Sequence, residues 1–316
     1  MASTYQNPMS IKNIGDPFVL RTPDGTYYCY ATSASDGFKA WSSDDLVHWT
    51  DIGYVYKRNE DSWGTSDFWA PEAIFHAGKY FMHYSARWEK NQSLRIGVAT
   101  ADSPSGPFVD VFNHPMFDFG YAAIDGHVLL DDDGRKYFYY SRDCSENIVH
   151  GRHESHLYVA VLNDDLVSFK GEPILITKPE QEWELHSGPE WLWNEGPFVL
   201  KHKSRYYLMY SANFYASRDY SVGYAVAQSP TGPFAKAAHN PVLFSGNSEF
   251  SGPGHNSVTT SPDGSELFIV YHIHTDPQNP SGDRQVCIDR MGFREDGSLY
   301  VTGPTHTLQP ISSSKE

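Results

Sequence analysis

Five times along the chain an apolar strand runs through a turn into a strand dense in Tyr and Phe. The copies are DPFVLRTPDGTYYCYATS (16–33), PEAIFHAGKYFMHYSA (71–86), DGHVLLDDDGRKYFYYSR (125–142), EGPFVLKHKSRYYLMYSA (195–212) and GHNSVTTSPDGSELFIVYH (254–272). Each joint carries turn chemistry (PDG, HAGK, DDDG, KSR, SPDG), so each copy is a β-hairpin. A third strand follows in every unit: FKAWSSD (38–44), LRIGVATAD (94–102), LYVAVLND (157–164), YSVGYAVAQ (220–228) and RQVCIDRMGF (284–293). The exits repeat as well, SPSGPF (103–108) with SPTGPF (229–234), and SDDLVHW (43–49) with NDDLVSF (163–169). Strand-rich units recurring roughly every 50–70 residues suit the four-stranded blades of a propeller. Five units predict an all-β, five-bladed β-propeller.

Composition agrees. With 21 Tyr, 18 Phe, 25 Gly and 20 Pro, and apolar runs that rarely follow a helical period, the chain reads as many short strands. A β-sandwich would also use evenly spaced strands, but it does not explain shared wording at matching positions. No Ser/Gly linker divides the sequence, so a single domain over 1–316 is expected. A formal charge of −15, with no Lys/Arg block to override it, argues against nucleic acid as a partner. Three widely spaced cysteines form neither a disulfide framework nor a metal knuckle and are expected as buried thiols. No stretch approaches a membrane span, and MASTYQNPMSIKN lacks a signal-peptide pattern, so a cytoplasmic location is expected.

In a propeller the first strand of each blade lies innermost, so equivalent positions at its start converge on the axis. Those positions carry Asp16, Asp125, Glu195 and His255, with Pro71 and Glu72 in the second unit. Asp16, Asp125 and His255 fall in register; Glu195 sits one residue earlier, its word lengthened by Gly196. One acid at a strand start merely caps nearby N–H groups. Three crowded at one mouth repel each other and lose hydration, which stability alone would avoid. A carboxyl pair across a cleft suits glycoside hydrolysis, one member protonated to assist the leaving oxygen and the other ionised. A third acid raises the pKa of its neighbour.

The ordered set of DP in the first unit, FWAPE in the second, ID followed by DDDG in the third, EGP in the fourth and GPGHNS in the fifth resembles glycoside hydrolase family 43. The resemblance spans nearly the whole chain and implies inverting enzymes acting on xylose- and arabinose-containing polysaccharides. It implies Asp16 as general base, Glu195 as general acid, and Asp125 as the residue that raises and orients the acid. An inverting pair would stand about 6.5–9.5 Å apart. It also implies Trp69 as a wall of the sugar pocket, Arg284 as an arginine beside the acids that bonds sugar hydroxyls, and His255 as helping to hold a hydrated calcium, or another small ion, on the axis. No organic cofactor is implied. Gly126 stands after Asp125 where many members have proline.

Phe214 and Tyr215 follow the second strand of the fourth unit and could line the pocket. His150, His153 and His156 lie in the polar insertion CSENIVHGRHESH (144–156) without an established ligand geometry for zinc and read as loop residues that could lie near the cleft. The insertion and the loop at 213–220 could wall a groove into a pocket. The expected activity is therefore exo, releasing terminal β-D-xylosyl or α-L-arabinofuranosyl residues from xylo- or arabino-oligosaccharides. An endo-arabinanase and a non-catalytic sugar-binding propeller stand as alternatives.

Overall fold

The computed structural model describes residues 3–247 and 249–311; the ends of the domain expected over 1–316 lie outside the described residues. The chain is a five-bladed β-propeller. The first blade runs Lys12–Arg21, Tyr27–Thr32, Gly37–Ser43, Thr50–Lys57, and the second Trp69–His76, Lys79–Arg87, Leu94–Ala101, Val109–Asp110. The third is built from Ala123–Leu130, Lys136–Arg142, His156–Leu162 and Ile174–Thr177. The fourth comprises Asn194–His202, Arg205–Ala212, Ser221–Ala227 and Ala235–Lys236, and the fifth Gly254–Thr260, Leu267–His274, Arg284–Phe293 and Leu299–Thr302. Neighbours within each blade pair antiparallel, and each first strand touches the first strands of both adjacent blades, which closes the ring.

The joint between fifth and first blades is hydrogen-bonded. Lys12 pairs with Gln285 and Ile14 with Arg284, while outside the blades Ser3–Tyr5 pairs with Gln309–Ile311.

The wealth of tyrosine has a structural cause. A buried tyrosine can fill the gap between sheets with its ring and satisfy its hydroxyl at the far side. Tyr30 of the first blade donates to the carbonyl of Pro104 at 2.6 Å, and Tyr139 of the third to that of Pro230 at 2.7 Å. Both acceptors lie in the twin exits SPSGPF and SPTGPF, so the repeated exit is a socket for the preceding blade's tyrosine.

The head of every inner strand carries a register shift of the bulge type. At each one a residue has positive φ: Asp16 (54°), Ala70 (44°), Asp125 (60°), Gly196 (56°) and His255 (48°). This left-handed region is uncommon for side-chain-bearing residues, although Asp and His tolerate it better than most. Four of the freed N–H groups donate to the preceding blade: Ala70 to Thr32 Oγ1 (2.8 Å), Asp125 to Ser85 Oγ (3.0 Å), His255 to Ser211 Oγ (2.8 Å) and Asp16 to His272 Nδ1 (3.1 Å). The fifth, Gly196, donates to Asp125 Oδ2 at 3.0 Å. The second-blade ring position is thus Ala70, not Pro71 or Glu72 as the repeat suggested. The bulged residue precedes the proline, as Asp16 precedes Pro17. Glu72 instead meets His127 Nδ1 at 2.7 Å.

Ser85→Ala tests this device, because it leaves the buried Asp125 N–H without its acceptor. A loss of about 1–3 kcal/mol is expected from denaturant unfolding. An unchanged midpoint would show that the hydroxyl does not hold the bulge.

Candidate active site

Asp16, Asp125 and Glu195 line one cavity of about 300 Å³ at the mouth of the ring, and Trp69, Phe214, Arg284 and His255 line it with them. Tyr215 lines it as well, so the three acids and the residues expected around the sugar and on the axis meet at one place. Sequence distance between them is bridged by blade geometry: Asp16, Asp125 and His255 are bulge residues, while Glu195 occupies the preceding position, opposite Ser211. A left-handed residue re-aims its side chain out of the strand's alternation. The one-residue offset of Glu195 places its carboxyl on a different stalk from the other two.

Asp16 sits in a nest of donors. Arg284 Nη1 donates to Oδ1 at 2.8 Å, Thr32 Oγ1 to Oδ2 at 2.6 Å, and His255 Nδ1 lies 3.3 Å from Oδ1. Burial by itself would raise the pKa of this acid. The Arg284 guanidinium, followed by His255, His272 and the Thr32 hydroxyl, outweighs it and holds Asp16 well below the usual carboxylate range. Asp16 is ionised. Glu195 is the opposite case. Burial first, then the negative charge of Asp125, pushes it well above the ordinary range, opposed by the Tyr220 hydroxyl that donates to Oε1 at 2.8 Å. Asp125 is itself raised to about 6 by burial and by Asp16, with His255 acting against the shift. The two carboxyls are therefore pushed in opposite directions, Asp16 toward its charged form and Glu195 toward its protonated form, the separation of environments that acid–base work requires.

Several glycines are spaces rather than turns. A Cβ on Gly15 would lie 1.9 Å from Arg284 Nη2, and one on Gly254 would lie 2.2 Å from the Tyr220 ring. At Gly126 a Cβ would meet Phe138 at 2.4 Å, which accounts for glycine where proline resembles the family pattern more closely. Trp69 both packs and lines: it rests against the small cluster of Leu94, Ala122 and Ile124 and faces the cavity. Arg284 is committed to Asp16 and lies over the Tyr215 ring, its Cζ 5.1 Å from the centroid.

The hydrated calcium or other ion expected near His255 would have the cavity side of that ring and the carboxyls around it as neighbours. The ring's Nδ1 faces Asp16, and among the described residues no three His, Cys, Asp or Glu side chains come together as a metal cluster. A hydrated ion bound through its own water is the arrangement these residues could accept, and no chemistry is assigned to it. His150, His153 and His156 do not converge on a metal: His156 pairs with Glu154 at 2.7 Å and His153 stacks on Trp191. The insertion folds as a hairpin, Ile148–Val149 with Arg152–Glu154, that joins Trp191–Leu192, and Asp143 and Ser145 at its base line the cavity.

Sequence reasoning missed Thr32, His272, Tyr220, Trp193 and Asp143. Thr32 and His272 occupy the repeat position of Ser85 and Ser211, so comparing the ends of the second strands would have found them. Tyr220 has no such signal, since its role comes from a contact across 25 residues.

Comparison with known proteins gives a consistent result. The model of glycosyl hydrolases family 43 matches residues 5–299. The chain is 32% identical to the β-D-galactofuranosidase xynD of Aspergillus niger, over 95% of this chain and 85% of that one. It is 27% identical to an arabinoxylan arabinofuranohydrolase of Paenibacillus polymyxa, covering 93% of this chain but only 51% of that relative's length. The crystal structure of a thermostable family-43 glycoside hydrolase superposes with a TM-score of 0.94 at 51% identity, over 98% of this chain and 100% of the other.

Two substitutions should move the titration of Glu195 in opposite directions. Asp125→Asn removes a negative neighbour and lowers the Glu195 pKa; Tyr220→Phe removes a donor to the ionised form and raises it. Carboxyl-detected NMR titration reads both shifts. The same direction in both variants would refute this account of the site.

Proposed function

The chain belongs to the glycosyl hydrolases family 43 and is a glycosidase, and from that premise we propose that it releases terminal β-D-xylosyl or α-L-arabinofuranosyl residues from xylo- or arabino-oligosaccharides with inversion. One observation carries the reading: a carboxyl paired with Arg284, which favours its charged form, and a buried carboxyl whose surroundings favour its protonated form share a single cavity. In this mechanism Asp16 takes a proton from a water on one face of the sugar while Glu195 gives its proton to the bridging oxygen on the other. Water adds to the anomeric carbon, the glycosidic bond breaks, and solvent restores both carboxyls. Asp125 serves twice. Its charge keeps Glu195 protonated, and its Oδ2 accepts the N–H of Gly196, the residue next to the acid. Trp69 offers an apolar wall to sugar C–H groups, and Arg284, while holding Asp16, lines the same space.

Exo action is supported by the walls. Asp143 and Ser145 at the base of the insertion and Phe214 and Tyr215 of the loop after Arg205–Ala212 line the cavity. A second substrate deserves inclusion because of the galactofuranosidase relative: a β-D-galactofuranoside presents the ring of an α-L-arabinofuranoside with one more hydroxylated carbon. Chromatography of products from xylobiose, arabino-oligosaccharides, debranched arabinan and a β-D-galactofuranoside tests the proposal. Monosaccharide alone supports exo action, a ladder from arabinan would mean an endo-arabinanase, and no product from any of them would overturn the reading.

Roles separate by leaving group. Glu195→Gln should cripple cleavage of xylobiose or an alkyl arabinoside yet spare much of the rate on an aryl glycoside, whose phenolate departs unaided. Asp16→Asn should lose about 100- to 10,000-fold on both, because water needs activation whatever departs. Equal sensitivity of both variants to the leaving group would mean that base and acid are wrongly assigned.

A further inference from the structure

An aromatic row leads out of the cavity. Tyr215 and Phe214 have ring centroids 4.9 Å apart, and Phe214 lies 5.5 Å from Trp193; these three rings line the cavity. The row continues beyond it, Trp193 to Trp191 at 6.3 Å with planes 21° apart, and Trp191 to His153 at 3.8 Å with planes 7° apart. Trp191 is 39% exposed, Phe214 40% and Tyr215 39%. Large rings left open in one contiguous line mark a binding surface more often than chance does.

The row is also built to stay put. Leu192, between the two tryptophans, is buried, so Trp191 and Trp193 point to the other side. His153 is fixed by its Nδ1 contact with the Cys144 carbonyl at 2.8 Å, and its strand Arg152–Glu154 runs parallel to Trp191–Leu192. The insertion therefore props Trp191 from behind while its own base walls the cavity. A rigid apolar platform binds without an ordering cost.

Position names the occupant. Trp191, Trp193 and Glu195 alternate along one extended segment, so the row approaches the site from the acid's side. Glu195 protonates the bridging oxygen, and the departing sugar hangs from that oxygen. Resting on the function proposed above, we infer that Trp193 and Trp191, backed by His153, form the subsites for the leaving-group sugars of an oligosaccharide. The terminal residue is held among the acids, and the next rings of the chain lie along the tryptophans.

Chain length is the readout. The wild-type kcat/KM should rise from disaccharide to trisaccharide and tetrasaccharide of the preferred pentose. Trp191→Ala should remove about tenfold of that gain, the scale of one good aromatic contact, while leaving an aryl monoglycoside unchanged, and Trp191→Tyr should restore most of it. Equal losses on the aryl glycoside, or no dependence on length in the wild type, would overturn the subsite while the glycosidase reading stands. A wild type inactive on every glycoside would sink the function reading and the subsite with it. If Trp191→Ala instead breaks up a wild-type oligomer in sedimentation, with length dependence unaltered, the row is a contact between copies of this chain.

Discussion

An N–H at the head of each inner strand, turned out of the sheet by a left-handed residue and caught by a side chain of the preceding blade, is the constraint on which the site depends. The bulge frees the N–H; the neighbouring hydroxyl or ring nitrogen takes it; the side chain of the same residue is thereby aimed across the axis. An isolated blade could not support this geometry, because the acceptor always belongs to the blade before it. Closure of the ring and placement of the acids are one event. In the fourth blade the scheme changes, and the acceptor is Asp125 itself. A bond that elsewhere serves only the scaffold there ties one site carboxyl to the backbone beside another.

The charge asymmetry also has a single root. Glu195 is buried and Asp16 nearly so, yet only Asp16 has a guanidinium, and removing one partner of a buried ion pair typically costs about 3–5 kcal/mol. Their supports touch. Tyr220, donor to Glu195, lies parallel to His272, acceptor of the Asp16 N–H, with ring centroids 5.6 Å apart. Gly15 and Gly254, equivalent positions of adjacent blades, make room for Arg284 and Tyr220 respectively. Two absent side chains thus make room for the guanidinium that holds Asp16 down and for the hydroxyl that donates to Glu195.

The blade plan was legible because each blade solves the same packing problem with the same words. Hairpin turns, third strands and exits fall where the repeat put them, and so do Asp16, Asp125 and Glu195, since a ring converts matching sequence positions into proximity. Ala70 was hidden by its lack of chemistry, which let Pro71 and Glu72 stand in for it. Tyr220 and Asp143 were illegible for another reason: their importance lies in what they touch, and those partners arrive from elsewhere in the fold. The stack of His153 on Trp191 belongs to the same class, an insertion whose purpose appears only against the strand it props.

Four of the five joints between blades are crossed by continuous chain; the joint between fifth and first is not. That seam is held by Lys12 and Ile14 against Gln285 and Arg284, and by Ser3–Tyr5 against Gln309–Ile311. Asp16 stands two residues past the seam and its guanidinium partner is part of it, whereas Glu195 belongs to the fourth blade. The one joint that no continuous chain crosses is therefore also the joint that brings Asp16 its guanidinium, so the charge of that carboxyl depends on the ring being shut.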